Sequence, residues 1–152
     1  AEADRGAEIT ALDYATTLTE TRKFVERHKV ARRVRYQPGD LNQVDFGRAA
    51  YDVVYLGHIL HIEGEQSSRR LLKRVARALR PGGRVVIAEM VPNDQRTGPP
   101  FPVFFALNML LNTAIGDTWT LGEYRQWLRA AGFRRVEAIE VGSHSPVIIG
   151  TK

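Results

Sequence analysis

The apolar residues of this chain follow two different spacings, and together these spacings predict a mixed α/β protein. Short continuous apolar runs are typical of strands that are buried on both faces of a parallel sheet. Segments with an apolar residue at every third or fourth position are typical of amphipathic helices. The predicted strands lie at 8–12, 33–36, 52–56, 84–90, 135–141 and 146–151, and the predicted helices at 17–28, 65–79, 103–112 and 120–132.

Turn and cap residues separate these elements and give the predicted order β-α-β-β-α-β-α-α-β-β. Pro81-Gly82-Gly83 is predicted to end the second helix. Thr120 and Glu123 have the spacing of a capping box, which marks the start of the last helix. Gly142-Ser143 is predicted to join the final two strands as an antiparallel hairpin at the sheet edge. At 152 residues, the chain 1–152 is predicted to be one domain.

The composition is that of an ordinary globular protein, and it argues against several functional classes. The net charge of +5 comes mainly from 18 Arg residues. Several of them recur at helical spacing within 69–80, opposite leucines, which predicts a solvated helix face and no nucleic-acid partner. No apolar run approaches the ~20 residues of a membrane span, so no membrane association is expected. The chain has no cysteine and no metal-binding motif, so neither disulfides nor a metal are expected, and a cytoplasmic location is predicted.

Four polar side chains follow predicted strands, where catalytic residues are often found. Ligands of parallel sheets bind beyond the carboxyl ends of the strands. Asp13 and Asp40 follow the first two strands, His61 follows the third, and Glu89 ends the fourth, so we expect all four to face one crevice. Each also has a simpler interpretation. Asp13 and Asp40 are then turn residues, and His61 is a structural hydrogen-bonding group.

The segments that contain these residues resemble, in order and spacing, the catalytic domain of class I S-adenosylmethionine (SAM)-dependent methyltransferases. They are TALDY at 10–14, QPGDLN at 37–42, DVVYLGHILH at 52–61 and VVIAE at 85–89. The similarity is greatest to the small-molecule O-methyltransferases. It implies a Rossmann-like, doubly wound, mostly parallel sheet with a C-terminal antiparallel hairpin. It also implies SAM as the cofactor, a small hydroxylated aromatic acceptor and a homodimer.

The resemblance assigns four residues to the cofactor. Asp13 corresponds to the acid that accepts hydrogen bonds from both ribose hydroxyls, and Tyr14 would line the adenine side. Asp40 corresponds to the carboxylate that accepts from the adenine amino group. Leu41 would then pack on the adenine ring. This division into one polar group and one apolar wall is common in such pockets.

The resemblance also assigns the catalytic base. His61 lies nine residues after Asp52, which is the spacing of the family's catalytic histidine. Imidazole titrates near neutrality and is therefore a suitable acceptor for a phenolic proton. Glu89 corresponds to the acid that orients this histidine. Thr118 stands where the family has a second supporting acid, so this chain departs from the family pattern there.

The acceptor is expected to lie against the region 101–118. The resemblance makes this region the acceptor wall, and the apolar residues could equally be core or dimer contacts. The residues predicted to contact the acceptor are Phe105, Asn108, Met109, Asn112 and Trp119. Asn108 and Asn112 are four apart and therefore share one helix face.

One expected motif is absent from the sequence. No GxGxG loop occurs in residues 1–152, and the segment 1–7 reads as the frayed end of a helix. The resemblance therefore implies an N-terminally incomplete domain, without the first strand, the Gly-rich loop and the dimerisation domain of the family. Two alternatives stay open: a non-catalytic, methyltransferase-like scaffold or dimerisation domain, and a nicotinamide-dependent oxidoreductase on a related sheet.

Overall fold

A computed structural model describes residues 2–142 and 146–152 of the chain. The chain divides into two compact units, Ala1–Asp45 and Phe46–Lys152. The predicted order of helices and strands is confirmed, with an additional 3-10 helix at Ala31–Arg33. Ser143, which was predicted to help join the last two strands, lies outside the described residues. The assignment of the whole chain to one domain stays a prediction.

The first unit consists of a strand–helix–strand motif. Strand β1 is Ile9–Asp13, helix α1 is Ala15–Arg27 and strand β2 is Val34–Pro38. The two strands pair in parallel, as expected when a helix connects neighbouring strands. The register places Asp13 opposite Pro38. The residues that follow the two strands therefore meet at one edge.

The second unit is built on a four-stranded mixed sheet. Its strands are β3 (Tyr51–Gly57), β4 (Leu79–Ala88), β5 (Arg135–Ile139) and β6 (Val147–Thr151), in the spatial order β3-β4-β6-β5. Strands β3 and β4 are parallel. Strand β6 is antiparallel to both β4 and β5. The predicted C-terminal antiparallel pair is thus confirmed, with β6 in the interior of the sheet and β5 at its edge.

Three helices accompany this sheet. They are α2 (Leu60–Ala78), α3 (Pro100–Asn112) and α4 (Leu121–Ala130). Helix α2 buries an apolar stripe that includes Leu71, Leu72 and Val75, while its basic residues lie on the other side, as predicted. The capping box of α4 is confirmed, with Thr120 Oγ1 accepting from Glu123 N and Glu123 Oε2 accepting from Thr120 N.

Helix α2 has an additional first turn that was not predicted. It begins at Leu60, but a non-helical residue, Gly64 (φ 69° and ψ 169°), interrupts it, and the helix that continues from position 65 agrees with the prediction. The early start has a physical cause, because the carboxylate of Glu89 accepts from Leu60 N and so caps the helix from another strand. Since this cap is 29 residues away in sequence, no local pattern predicts it.

The segment Pro81-Gly82-Gly83 also differs from the prediction. It was predicted to separate helix from strand, but it lies inside β4, which starts at Leu79 directly after α2. The pairing with β3 shifts register there, between the pairs Tyr51–Leu79 and Val53–Arg84. The glycine-containing turn therefore interrupts the regular pairing of β4 with β3, which resumes at Arg84, the predicted start of this strand.

Replacing Gly64 by alanine is expected to destabilise the protein more than the same change at Gly82. Both glycines have positive φ, at 69° and 76°, so each alanine variant should cost about 1–3 kcal/mol of backbone strain. At Gly64 the added Cβ would also lie 2.9 Å from the carbonyl oxygen of Ile115, whereas at Gly82 nothing lies within 4 Å. We expect Gly64→Ala to cost about 1–3 kcal/mol more than Gly82→Ala, measured by urea unfolding. Equal costs would contradict the crowding described at Gly64.

Some of the surface charges of the second unit form local ion pairs. Arg69 bonds to Glu65 at 2.6 Å along α2, and Arg80 bonds to Asp52 at 2.8 Å between neighbouring strands. Such exposed pairs contribute little to stability. Among residues 2–142 and 146–152, no helix has both the length and the apolar character needed to cross a bilayer.

Candidate active site

A buried histidine–glutamate pair lies where β3 and β4 end. The parallel register places Gly57 opposite Ala88, and His58 N donates to Ala88 O at 2.9 Å. The chain therefore enters α2 beside the residue that follows β4, which is Glu89. His61 lies in the first turn of α2, and its Nδ1 is 2.7 Å from Glu89 Oε2. This confirms that the two residues predicted at neighbouring strand ends come together.

Glu89 is fully enclosed, and both of its carboxylate oxygens are bonded. Its side chain has 0% exposure and that of His61 has 7%. While Oε2 contacts the imidazole, Oε1 accepts from Leu60 N at 2.7 Å and lies 3.4 Å from His61 N. These are backbone amides at the N-terminus of α2, where the helix dipole favours a negative charge.

The contact with Glu89 determines which nitrogen of His61 can accept a proton. An ionised carboxylate can only accept hydrogen bonds, so Nδ1 must carry the hydrogen of the 2.7 Å bond. In the neutral imidazole the other nitrogen, Nε2, then keeps its lone pair. The pair thus presents a base whose tautomer is set by a carboxylate, as in other histidine–carboxylate sites.

The turn that carries His61 is supported from outside its own helix. Leu60 O accepts from Ser68 Oγ at 3.2 Å and from Trp119 Nε1 at 3.1 Å. His61 O accepts from Asp117 N at 2.9 Å. These bonds fix the first turn in position although the helix is interrupted at Gly64.

The same bonds change the interpretation of Trp119. Its side chain was predicted to contact the acceptor, but the residue is only 8% exposed and its indole N–H is engaged by Leu60 O. Its ring also contacts Trp127 edge-on at a centroid distance of 5.1 Å. Trp119 is therefore a buried residue that supports the turn of His61, and its contact with the acceptor stays a prediction.

Helix α3 places an aromatic ring against His61. Phe105 meets the imidazole edge-to-face, with centroids 5.1 Å apart, and stacks on Phe101 at 6.1 Å. Asn108 and Asn112 are exposed and share a helix face as predicted, with Asn112 Nδ2 donating to Asn108 O at 3.0 Å. Met109 is buried, at 7% exposure. A role in acceptor binding stays a prediction for all of these residues, with Phe105 best placed.

The predicted cofactor residues lie at one edge of the first unit. Gly39 N donates to Asp13 O at 3.0 Å, so Asp13 and Asp40 follow neighbouring strand ends. Asp13 Oδ1 accepts from Tyr14 N, and Asp40 Oδ1 accepts from Asn42 N in an Asx turn. Tyr14 is 62% exposed, and Leu41 is half-buried. That these residues share a crevice with His61 and Glu89 of the second unit stays a prediction.

Sequence reasoning missed a buried tyrosine beside Glu89. Tyr124 lies in α4 with 0% exposure, and no group among residues 2–142 and 146–152 bonds its hydroxyl. Burial raises the pKa of Tyr124 well above its usual value, and the charges of Glu89 and Glu123 raise it further. Its position fits the apolar face of an amphipathic helix, so the sequence held no signal for it. Thr118 Oγ1, at the position of the family's second acid, is likewise buried without a partner in the described part of the chain.

Replacing Tyr124 by phenylalanine is expected to raise the free energy of unfolding at pH 7 by about 1 kcal/mol, because a buried hydroxyl without a partner is removed. The advantage should grow in alkali. Since folding raises the pKa of Tyr124, the unfolded phenol ionises first above pH ~10, and the wild type loses stability there. Urea unfolding at pH 7 and above pH ~10 measures the difference in unfolding free energy between the variant and the wild type. Tyr55→Phe, at an exposed tyrosine, is the control and should show neither effect.

Comparison with known proteins identifies the family. Residues 5–134 match the family model of the O-methyltransferase domain. The acetylserotonin O-methyltransferase of Gallus gallus is 36% identical over 121 residues, covering 80% of this chain and 34% of that protein. The tetracenomycin polyketide synthesis 8-O-methyl transferase TcmO of Streptomyces glaucescens is 33% identical over 139 residues, covering 89% of this chain and 40% of that protein.

A solved structure agrees with these sequence matches. Human N-acetylserotonin methyltransferase, determined in complex with SAM, superimposes with a TM-score of 0.83 at 25% identity, over 97% of this chain and 41% of that one. The likeness confirms the predicted mixed α/β fold. The chain spans less than half the length of each of these relatives. With a family model matched over residues 5–134 and relatives at this level of identity, the chain belongs to the family of O-methyltransferase domains.

Proposed function

We propose that the chain is the catalytic part of a SAM-dependent O-methyltransferase that methylates a hydroxyl of a small aromatic molecule, with His61 as general base. The observation that carries the proposal is the buried 2.7 Å contact between His61 Nδ1 and Glu89 Oε2. It assigns the proton of the neutral imidazole to Nδ1 and leaves Nε2 able to accept one. Family membership supports the reaction type.

The proposed role of the pair follows from the chemistry of a phenol. SAM, when bound, supplies an electrophilic methyl group on a sulfonium. A phenol with a pKa near 10 is a weak nucleophile at neutral pH until its proton leaves. His61 Nε2 would take this proton, and the bond from the oxygen to the methyl carbon would replace the bond from that carbon to sulfur, with S-adenosylhomocysteine as the leaving group. The resulting imidazolium is stabilised by the Glu89 carboxylate, and general-base assistance of this kind typically contributes ~10²–10⁴-fold.

Asp13, Tyr14, Asp40 and Leu41 are proposed to hold SAM. The donor set fits, because two carboxylates follow parallel strands, where ribose and adenine groups that donate hydrogen bonds are usually held. An exposed tyrosine and a half-buried leucine beside them provide apolar surface for adenine. The crystal structure of the human relative in complex with SAM supports the same cofactor.

An aromatic acceptor is supported by the side chains next to the base. Phe105 presents its edge to the His61 ring, and Phe101 extends the aromatic surface. Aromatic rings pair favourably in offset or edge-on arrangements, so these two residues can orient a planar acceptor. Asn108 and Asn112, on the same helix, add polar groups for its oxygens.

The experiment uses the natural protein that contains this chain. We expect calorimetry to detect S-adenosylhomocysteine binding, and expect methyl-labelled SAM to transfer label to members of a panel of phenols, polyphenols and hydroxylated polyketide rings. Absence of S-adenosylhomocysteine binding would favour the non-catalytic scaffold. NADH binding in a fluorescence titration, without S-adenosylhomocysteine binding, would favour the oxidoreductase.

A homodimer is proposed as the working assembly. The exposed face of α3 is unusually apolar, with Phe104, Leu110 and Leu111 each more than 70% exposed. Apolar patches of this kind mark interaction sites. Light scattering after size exclusion should show twice the monomer mass, and Leu110→Glu should shift the measured mass toward that of the monomer.

A cytoplasmic location is a further proposal, and it rests on the lack of cysteine in the sequence.

A further inference from the structure

We propose that His58, His61 and Glu89 form a binding site for a divalent transition metal of the zinc type, and that the metal reversibly blocks the base. One ligand atom from each of the three residues lies within 4.8 Å of the others. Two imidazoles and one carboxylate are a ligand set that zinc takes in proteins, with a fourth position left open. The site does not match a metal-binding motif of the sequence, because Glu89 lies 28 residues after His61 in the chain.

Two of the three ligands are held in place before any metal binds. Glu89 and His61 are buried and bonded to each other at 2.7 Å. Leu60 N donates a hydrogen bond to the carboxylate of Glu89. Asp117 N donates a hydrogen bond to the backbone carbonyl of His61. Such supporting bonds orient metal ligands and contribute to affinity.

His58 supplies the third ligand from the surface. It is exposed, and its ring centroid lies 6.3 Å from that of His61. Its backbone has a φ of 54°, which is uncommon for a residue other than glycine. Strained residues of this kind cluster at binding and catalytic sites. An exposed third ligand also gives the metal a route of entry to the buried pair.

Metal binding would remove the proton acceptor whichever nitrogen of His61 is used. If Nε2 binds the metal, its lone pair is occupied. If Nδ1 binds, the hydrogen of the neutral ring must lie on Nε2, which then cannot accept a proton. In both cases the hydroxyl of an acceptor loses its base. The inhibition therefore rests on the proposed function, whereas the metal site itself does not.

The test uses the natural protein that contains this chain, freed of metal with EDTA and dialysed. We expect calorimetry with ZnCl₂ to show one site, and Co²⁺ to give the visible absorption of a nitrogen- and oxygen-ligated ion. His58→Ala should weaken Zn²⁺ binding at least about tenfold, while His28→Ala should leave it unchanged. His28 is a suitable control because it is also partly exposed and bonded to a glutamate, Glu2.

The inhibition is measured as the ratio of turnover in EDTA to turnover in saturating Zn²⁺, separately for each protein. We expect a large ratio for the wild type and His28→Ala and a much smaller one for His58→Ala. No Zn²⁺ binding, or equal binding by His58→Ala with unchanged circular dichroism, would overturn the site. Zn²⁺ binding that needs His58, in a protein without methyl transfer even in EDTA, would support the site and overturn the proposed function.

Discussion

Replacing His61 by alanine is expected to lower kcat by about 10²- to 10⁴-fold, the usual range for the loss of a general base. Affinity for S-adenosylhomocysteine, measured by calorimetry, should stay within about twofold, because an interaction made only during proton transfer does not contribute to cofactor binding. The residual rate should rise with pH, since hydroxide and spontaneous ionisation of the phenol then replace the missing base.

The physical reason lies in the position of the imidazole. Its Nδ1 is 2.7 Å from a carboxylate that is fully buried, so the ring is held in one orientation and one tautomer. The first turn of α2 is fixed in addition by Asp117 N, which donates to His61 O. A base that is already oriented loses little conformational freedom when the acceptor binds. Much of its contribution to the rate arises from this small loss of entropy.

His28→Ala is the matched control for this variant. It removes an imidazole that also contacts a glutamate, at 2.8 Å, but on the surface of the first unit. We expect its kcat to differ from the wild type by less than about twofold, as for most surface substitutions. Equal turnover of His61→Ala and the wild type in metal-free buffer would remove His61 from the role of base.

The fold could be predicted from sequence as far as its signals are local. The alternation of apolar runs and amphipathic segments gave the correct order of elements, since each period is read within a short window. The capping box at Thr120 and Glu123 was predicted correctly for the same reason. Parallel pairing followed from the helices that connect β1 to β2 and β3 to β4.

The parts of the site that depend on distant residues could not be predicted. Leu60 begins a helix whose first amide is bonded by Glu89, a residue that follows β4 and lies 29 positions away in the chain. Tyr124 looks like any apolar position of an amphipathic helix, and only the fold shows its burial beside a carboxylate. Trp119 reads as an acceptor contact in sequence, but its indole N–H bonds to the backbone under His61. Each of these outcomes rests on a contact between segments far apart in the chain.

Replacing Glu89 by glutamine is expected to lower kcat by about 10²- to 10⁴-fold although the side chain keeps its size. The amide oxygen can still accept from Leu60 N, but the amide nitrogen then faces His61 Nδ1 as a donor. Nδ1 must therefore become the acceptor, and the hydrogen of the neutral ring moves to Nε2. Once Nε2 carries the hydrogen, it has no lone pair with which to accept the proton of the acceptor hydroxyl, and reversal of a catalytic histidine's tautomer has effects of this size.

Glu89→Ala should add a stability defect that Glu89→Gln largely avoids. Alanine leaves the buried Leu60 N–H and the His61 Nδ1–H without an acceptor, at about 1–3 kcal/mol for a buried group that loses its partner. Both variants remove the negative charge that caps α2, so the loss of this contribution of about 0.3–1 kcal/mol is common to them and does not change their order. Urea unfolding of the two variants should therefore rank alanine clearly below glutamine, while both lose most of their turnover.

Glu65→Gln separates the role of this carboxylate from a general effect of removing negative charge near α2. Glu65 lies on the exposed side of the same helix, where it bonds across one turn to Arg69. Its substitution should change stability by less than about 0.5 kcal/mol and leave kcat unchanged, because an exposed pair is well screened by water. If Glu89→Gln kept wild-type turnover, the imidazole would not depend on its carboxylate, and the catalytic pair inferred from the 2.7 Å contact would be wrong.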